Sequence, residues 1–418
     1  MPDINVKSGA YSLDRSSPIS FPAPPPYYSP SSLQAVEQCA NRWALTWAKY
    51  DPPISEQDEY PSPDSASAIG GLVVHKTIER LIKELSNAGC VSVHSAKAVD
   101  VISSIGGISI VIDEISGHIL DRISSNPRNV RRIDVLIREV TKNRLELRRS
   151  VQLLLRRVDE LEPKNSRSDE KRGVPGQRPP LNNGVFTEVY LKSEFDSLHG
   201  SADKISITNG KVAISDFKTG QRSESHLDQV RMYGLMYFGD SERNPHGKFA
   251  SRLELDYPNE QAAEVCESID FWVEFREKIS MRISSANQAI QSSPVPATRT
   301  SENCSFCPVR HHCNEFMTEM SLTPPDHQST DGLVDLRIQI QSITNSRSAE
   351  AVIINSTKPE ITGDCILVDT VADIEGLSPG DELVVLNVAV ENSDQLKSVC
   401  SMGPYAEYFV IDQSSNLS

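Results

Sequence analysis

Apolar side chains recur at steps of three and four through Val130, Ile133, Ile137, Val140, Leu147, Val151, Leu154, Val158 and Leu161, with Arg144 alone interrupting the seam. That period places them on one face of a helix. The same alternation runs through Ile105, Ile108, Ile112, Ile115 and Ile119, and Ser125-Asn126-Pro127 lies between the two runs, where proline breaks a continuing helix. An antiparallel helical hairpin is predicted, its longer arm reaching roughly 48 Å. Gly106-Gly107 weakens the start of the shorter arm. Such a hairpin either packs on the body or serves as a dimerisation or partner arm, in which Arg144 would fix the register. Earlier in the chain, Ser31 and Ser32 supply caps for a helix carrying Leu33, Val36, Ala40, Trp43 and Trp47. A second helix opens near Ser67 and carries Leu72, His75, Ile78, Glu79 and Ile82.

Alternation at period two takes over afterwards. Residues 185–195, 198–208 and 211–217 read as strands, and Asn209-Gly210 between the last two is a strong hairpin signal. A helix over about 225–237, a strand near 249–255 and a helix around 261–291 follow, so strands framed by helices predict an α/β layer fold. From about 331 onward, β-like runs at 336–343, 351–354, 365–371, 382–390 and 408–411 predict a separate small all-β domain. Five strands suit a barrel of the oligonucleotide-binding (OB) type. The prolines of 21–30 exclude a helix interior or central strand. The expected organisation is a flexible Pro/Ser-rich arm over 1–30, a body over 31–320 with the hairpin inserted at 95–162, and a β domain over 331–418.

Charge changes this picture more than composition does. The 418 residues carry a net charge of −15, which argues against a nucleic-acid binder until its location is considered. From residue 321 to the end, 4 Lys and Arg face 15 Asp and Glu. Residues 128–157 instead hold 10 Arg and Lys against 3 acids, a pattern expected either of a solvated helix flank or of a phosphate-contacting surface. The acidity of the β domain opposes phosphate binding and points to a structural or protein-contact role. No apolar run approaches the ~20 residues that span a bilayer, and the opening Met1-Pro2-Asp3-Ile4 does not read as a signal peptide, so no membrane association and a cytoplasmic location are expected. In that compartment 8 cysteines argue against a disulfide framework and direct attention to metal ligation.

Glu188, Asp203, Asp216 and Lys218 all fall in the three-strand stretch, and Asp216 and Lys218 share a strand face. Two acids on adjacent strands make a hard oxygen site for Mg²⁺ or Mn²⁺, while a neighbouring ammonium positions water and offsets charge on a phosphate. Gly200-Ser201-Ala202 ahead of Asp203 are small enough for a bulky substrate to approach the strand. Taken singly, an Asp-x-Lys pair is also what a surface ion pair looks like, and a helix histidine is usually a satisfied core residue. Cys304, Cys307 and Cys313 form C-x₂-C-x₅-C, with Cys39 a distant fourth thiol. Their spacing suits an iron–sulfur cluster, a Cys₄ zinc site, or a local Cys₃His zinc site through His311 or His312. Cys90, Cys266, Cys365 and Cys400 read as isolated structural residues.

The order of these words resembles the RecB-like branch of the PD-(D/E)XK nucleases: Ser32-Leu33 through Cys39 with Arg42, Gly71 to Glu79 around His75, Gly200 to Ile205 around Asp203, Ile214 to Gly220 around Asp216 and Lys218, and Gln229 to Tyr233. The resemblance implies a mixed sheet flanked by helices. It implies that His75, Asp203 and Asp216 hold Mg²⁺ or Mn²⁺, that Lys218 is catalytic, and that Gln229 and Tyr233 line the site, with Glu188 a further acid. Members that place one cysteine before the core and C-x₂-C-x₅-C after it, such as the CRISPR adaptation nucleases and certain helicase-nucleases, imply a [4Fe–4S] cluster on Cys39, Cys304, Cys307 and Cys313. Single-stranded DNA ends are then the expected substrate, in repair or anti-phage defence. A helicase or defence-complex subunit, bound through the hairpin or the β domain, and self-association are the expected partners. A second expectation is a DNA-docking or assembly subunit that does not itself need to cut.

Overall fold

The computed structural model describes residues 18–50, 59–158, 161, 178–266, 268–318, 320, 332–374, 376–391 and 397–411. Its body is a five-stranded mixed sheet in the order β1-β2-β3-β4-β5: β1 Gly184–Ser193, β2 Leu198–Thr208, β3 Lys211–Phe217, β4 Arg252–Asp256 and β5 Gln261–Val265. Asn209 and Gly210 both take positive φ, at 52° and 77°, so the β2–β3 hairpin turns where its sequence predicted. The β3–β4 pair is parallel and the other neighbours are antiparallel. β5 lies inside the span assigned from sequence to a long helix: the polar turn at 258–260 reverses β4 into β5, and the helix begins only after Ser268 caps it.

One core joins this sheet to α1 (Pro30–Gln38), α2 (Ala40–Thr46), α8 (Glu224–Gly239) and α9 (Ile269–Gln291). The α8–α9 approach needs Gly234, because a Cβ there would come within 2.1 Å of the Trp272 ring. A second core gathers α3 (Ala66–Asn87), α5 (Gly107–Ile123), α6 (Ile133–Lys142) and α7 (Arg144–Leu155), and Phe217 at the end of β3 belongs to it. α3 is capped by the Ser65 hydroxyl and ends at Gly89, whose φ of 71° turns the chain out of the helix. Its buried Ile69, Val73, Ile78, Leu81 and Leu85 form one apolar stripe.

The helices that follow α3 therefore pack on the body, one of the two alternatives the sequence left open. The long seam is two helices that meet at Asn143, and α4 (Ala96–Ser104), α5, α6 and α7 all pack against α3. Within α6 Leu136 is buried in place of Ile137, while Val140, Leu147, Val151, Leu154 and Val158 are buried as their spacing predicted. Arg144 is exposed and pairs with Asp113 of α5, which ties the two arms together. The N-terminal arm also differs from expectation where it is described. Tyr28 is buried, bridges to Leu198 and hydrogen-bonds Asn287, which anchors the prolines beside it; residues 1–17 lie outside the described residues.

The β domain comprises β6 Val334–Asn345, β7 Ser348–Ser356, β8 Gly363–Asp369, β9 Glu382–Glu391, β10 Ser398–Met402 and β11 Glu407–Ile411. Pairings run β6-β7-β8-β10-β9 and return from β9 to β6, closing a five-stranded barrel in which only β8 and β10 are parallel, with β11 added on β9. The closing strand β10 is the one the sequence reading missed, because Ser398-Val-Cys-Ser-Met402 carries little apolar alternation. Cys365 and Cys400, read as isolated, meet as a hydrogen-bonded buried thiol pair on β8 and β10. No helix among the described residues is long and apolar enough to cross a membrane.

Candidate active site

Register brings the acids together. Thr187↔Lys204 and Val189↔Ala202 place Glu188 opposite Asp203, and one step beyond Lys204↔Ser215 sets Asp203 opposite Asp216. Three carboxylates thus stand in a row across β1, β2 and β3. Glu188 holds a φ of 50°, a conformation costly for a non-glycine residue and frequent at functional positions. Asp203 Oδ2 accepts the Phe217 N–H at 2.6 Å and lies 3.6 Å from His75 Nδ1, which α3 brings in from the side. α3 can come this close because Gly71 faces the loop after β3: a Cβ there would sit 3.1 Å from Thr219 Oγ1.

Asp216 is 2% exposed. Its Oδ2 pairs with Lys218 Nζ at 2.6 Å. Lys218 Nζ also donates to Gln229 Oε1 at 2.8 Å, and Gln229 Nε2 donates to Tyr233 Oη at 2.9 Å. Residues four apart on α8 thereby hold the lysine at the end of β3. Gly200 and Ala202 have a different role from the one expected: a Cβ on Gly200 would meet Tyr233 at 3.1 Å, so these small residues admit α8 rather than a substrate.

Burial pushes the Asp216 carboxyl up to about 7, with Asp203 adding to the rise and Lys218 opposing it. Burial and the Asp203 charge also raise Glu188. For His75, burial pulls downward, but the hydrogen bond and charge of Asp203 outweigh it and the imidazole is raised. Too much negative charge for one lysine is the state a divalent cation would relieve, and hard oxygen donors with one imidazole suit Mg²⁺ or Mn²⁺. The buried Asp216 carboxylate, answered by Lys218 yet raised by its burial, fits that use. As they stand, no group of three or more His, Cys, Asp or Glu side chains among the described residues is placed to hold a metal ion.

This strain predicts a trade between activity and stability. A folded-state carboxyl near 7, against 3.8 ordinarily, means the folded protein binds the proton more tightly, so stability falls as pH rises between those values. Without metal, Asp216→Asn should stabilise the protein by at most about 4 kcal/mol. The gain should be nil below about pH 4 and complete above about pH 7, as read from urea melts across pH.

The cysteines form a second centre. Cys39 caps α2, its Sγ accepting the backbone N–H groups of Arg42 and Thr298. Cys304 lies on α10 (Ser301–Ser305), and Cys313 immediately precedes α11 (Asn314–Thr318). Cys39, Cys304, Cys307 and Cys313 all line one small hollow, and none is in a disulfide. Neither His311 nor His312 lines it: His311 Nε2 lies 2.7 Å from Tyr60 Oη and its ring stacks on Phe409, which disfavours the local Cys₃His alternative. Burial raises the Cys307 thiol to about 11 and the Cys313 thiol to about 12.

The sequence model of the PD-(D/E)XK nuclease superfamily matches residues 27–314, which contain both centres. The chain belongs to the PD-(D/E)XK nuclease superfamily. Among curated proteins nothing matches. The crystal structure of SSO0001 is similar to 58% of this chain and 95% of its own, at 14% identity and a TM-score of 0.22, values too low to carry argument. In this superfamily member the structure gathers Glu188, Asp203, Asp216, Lys218, His75, Gln229 and Tyr233 at one end of β3. The sequence reading missed His226 and Tyr257, which hydrogen-bond at 2.8 Å beside them. Position was the available signal, since His226 lies three residues before Gln229 on the same helix.

Proposed function

We propose that the chain is a Mg²⁺- or Mn²⁺-dependent deoxyribonuclease of the RecB-like branch, acting as an exonuclease on single-stranded ends. The observation that carries this reading is the row of Glu188, Asp203 and Asp216 with Lys218 beside it. Asp203 and Asp216 would hold the cation, flanked by His75 and Glu188; when bound it lowers the pKa of water and neutralises charge on the phosphate. Lys218, held by Gln229 and through it by Tyr233, orients the attacking water and faces the charge that grows on the scissile group. The test is cleavage of end-labelled single and double strands with Mg²⁺ or Mn²⁺ and with chelator. Release of mononucleotides from single strands supports the reading, and no cleavage under any of these conditions refutes it. Binding without cleavage would favour the docking-subunit alternative.

The cysteine hollow supports a [4Fe–4S] cluster on Cys39, Cys304, Cys307 and Cys313, which would staple α2 to the segment after α9. Buried neutral thiols next to Arg42 and Arg310 gain by deprotonating onto a metal. Anaerobically purified protein should be brown, absorbing near roughly 400 nm, and any Cys→Ser change at these four positions should bleach it. Colourless protein with one zinc per chain would replace iron by zinc at the site. A helicase or defence-complex partner and a cytoplasmic location belong to the same proposal.

A further inference from the structure

His226 and Tyr257 occupy the cleft without belonging to the motif that identifies it. On α8, His226, Gln229 and Tyr233 fall at i, i+3 and i+7 and share one face. Gln229 holds Lys218, so His226 stands one turn nearer the start of the helix and within reach of the Lys218 charge. Tyr257 arrives from the other side. β4 pairs Asp256 with Phe217, and the Lys218 N–H donates to the Asp256 carbonyl at 2.9 Å, which sets Tyr257 next to the lysine. The tyrosine ring is 4% exposed, and its hydroxyl lies 2.8 Å from His226 Nδ1.

In the tautomer in which the Tyr257 hydroxyl donates to His226 Nδ1, that nitrogen carries no hydrogen. The ring hydrogen then sits on Nε2, which has no hydrogen-bond partner among the described residues. Burial, with Lys218 second, holds the imidazole below its ordinary value and keeps it neutral. In that tautomer a buried tyrosine holds a half-buried histidine as a single-proton donor beside the catalytic lysine. Such a donor offers a hydrogen bond to an anionic oxygen without adding charge to a site that must also hold a cation.

We propose that His226 is a further catalytic residue, donating Nε2–H to a non-bridging oxygen of the scissile phosphate, and that Tyr257 is its positioning residue. This rests on the nuclease reading above. His226 moves no proton and forms no bond; it stabilises charge as the phosphorus gains its fifth oxygen.

The test uses the full chain, Mg²⁺ and a single-stranded oligonucleotide bearing the Rp or Sp phosphorothioate at the scissile position. His226→Ala should lower kcat/KM by about 10- to 100-fold, the worth of one hydrogen bond to a charged group. His226→Gln, whose amide nitrogen extends toward the place of Nε2, should recover most of it, and Tyr257→Phe should cost several-fold. In the wild type one diastereomer should be cut more slowly than the other because sulfur accepts poorly, and that preference should shrink in His226→Ala. Equal cleavage by His226→Ala overturns the assignment and leaves the nuclease reading intact. A slower His226→Ala with an unchanged diastereomer ratio also overturns it, since the role would then be structural. A wild type that binds the strand but cuts neither isomer overturns the nuclease reading, and the assignment with it.

Discussion

Asp203→Ala and Asp216→Ala are each expected to lower cleavage of single-stranded DNA by ~10³-fold or more while leaving the fold intact. The two acids face each other across β2 and β3, so either one alone offers half of the oxygen donors that a hard cation needs. The losses should not add in the double variant, because both residues serve one ion. Asp216→Ala also removes a buried charge that costs stability, whereas Asp203→Ala removes the acceptor of the Phe217 N–H and should destabilise slightly. Lys218→Ala should cost activity with cation binding retained, since the lysine opposes the excess charge of the row instead of adding to it. Calorimetric titration with Mn²⁺ beside end-labelled cleavage assays separates these cases. Full activity in either Asp variant would sink the nuclease assignment.

The strands of the candidate site were legible in the sequence because β1, β2 and β3 alternate cleanly and Asn209-Gly210 leaves little choice of turn. With that register, the facing positions of Asp203 and Asp216 follow arithmetically. What was not legible is what each neighbour does in three dimensions. Gly200 reads as an opening for substrate until Tyr233 is seen to fill the space, and the seam from Val130 to Leu161 reads equally as an arm or as a face packed on the body until α3 is seen to bury it. A 3.6-residue period tells which face is covered and says nothing of what covers it. Charge was least legible of all. Arg128, Arg131 and Arg132 belong to a basic run that reads as a solvated flank or a phosphate-contacting surface, and they are instead paired with Glu407 and Asp369 of the β domain. The acidity of the β domain is partly answered within the chain. Arg310, between Cys307 and Cys313, makes a further such contact, binding Asp335 through two nitrogens.

Glu407→Gln is expected to destabilise the protein by about 3–5 kcal/mol, the cost of leaving a buried cation without its anion. The Arg128 side chain is fully buried, and its Nε and one terminal nitrogen each donate to a Glu407 oxygen at 2.8 Å. The remaining nitrogen donates to the carbonyls of Pro61 and Pro308, so one guanidinium joins the barrel, the loop before α3 and the cysteine segment. Arg132 reaches Glu407 as well, at 3.5 Å, and glutamine would leave two cations facing an uncharged oxygen. Burial would raise the Glu407 carboxyl, but the Arg128 and Arg132 charges more than reverse this and hold it below its ordinary 4.5. A depressed carboxylate contributes stability that is fully present above the unfolded value and is lost as pH falls toward the folded one. The gap between wild type and Glu407→Gln should therefore stay constant above about pH 5 and close under more acidic conditions. Replacing both partners by methionine should recover part of the loss, because a well-packed apolar pair leaves no charge unanswered. Guanidinium melts of the three variants across pH measure all of this. A pH-independent gap, or none, would mean that the barrel is held by the apolar contacts of Phe316, Met317 and Phe409 and not by its charges.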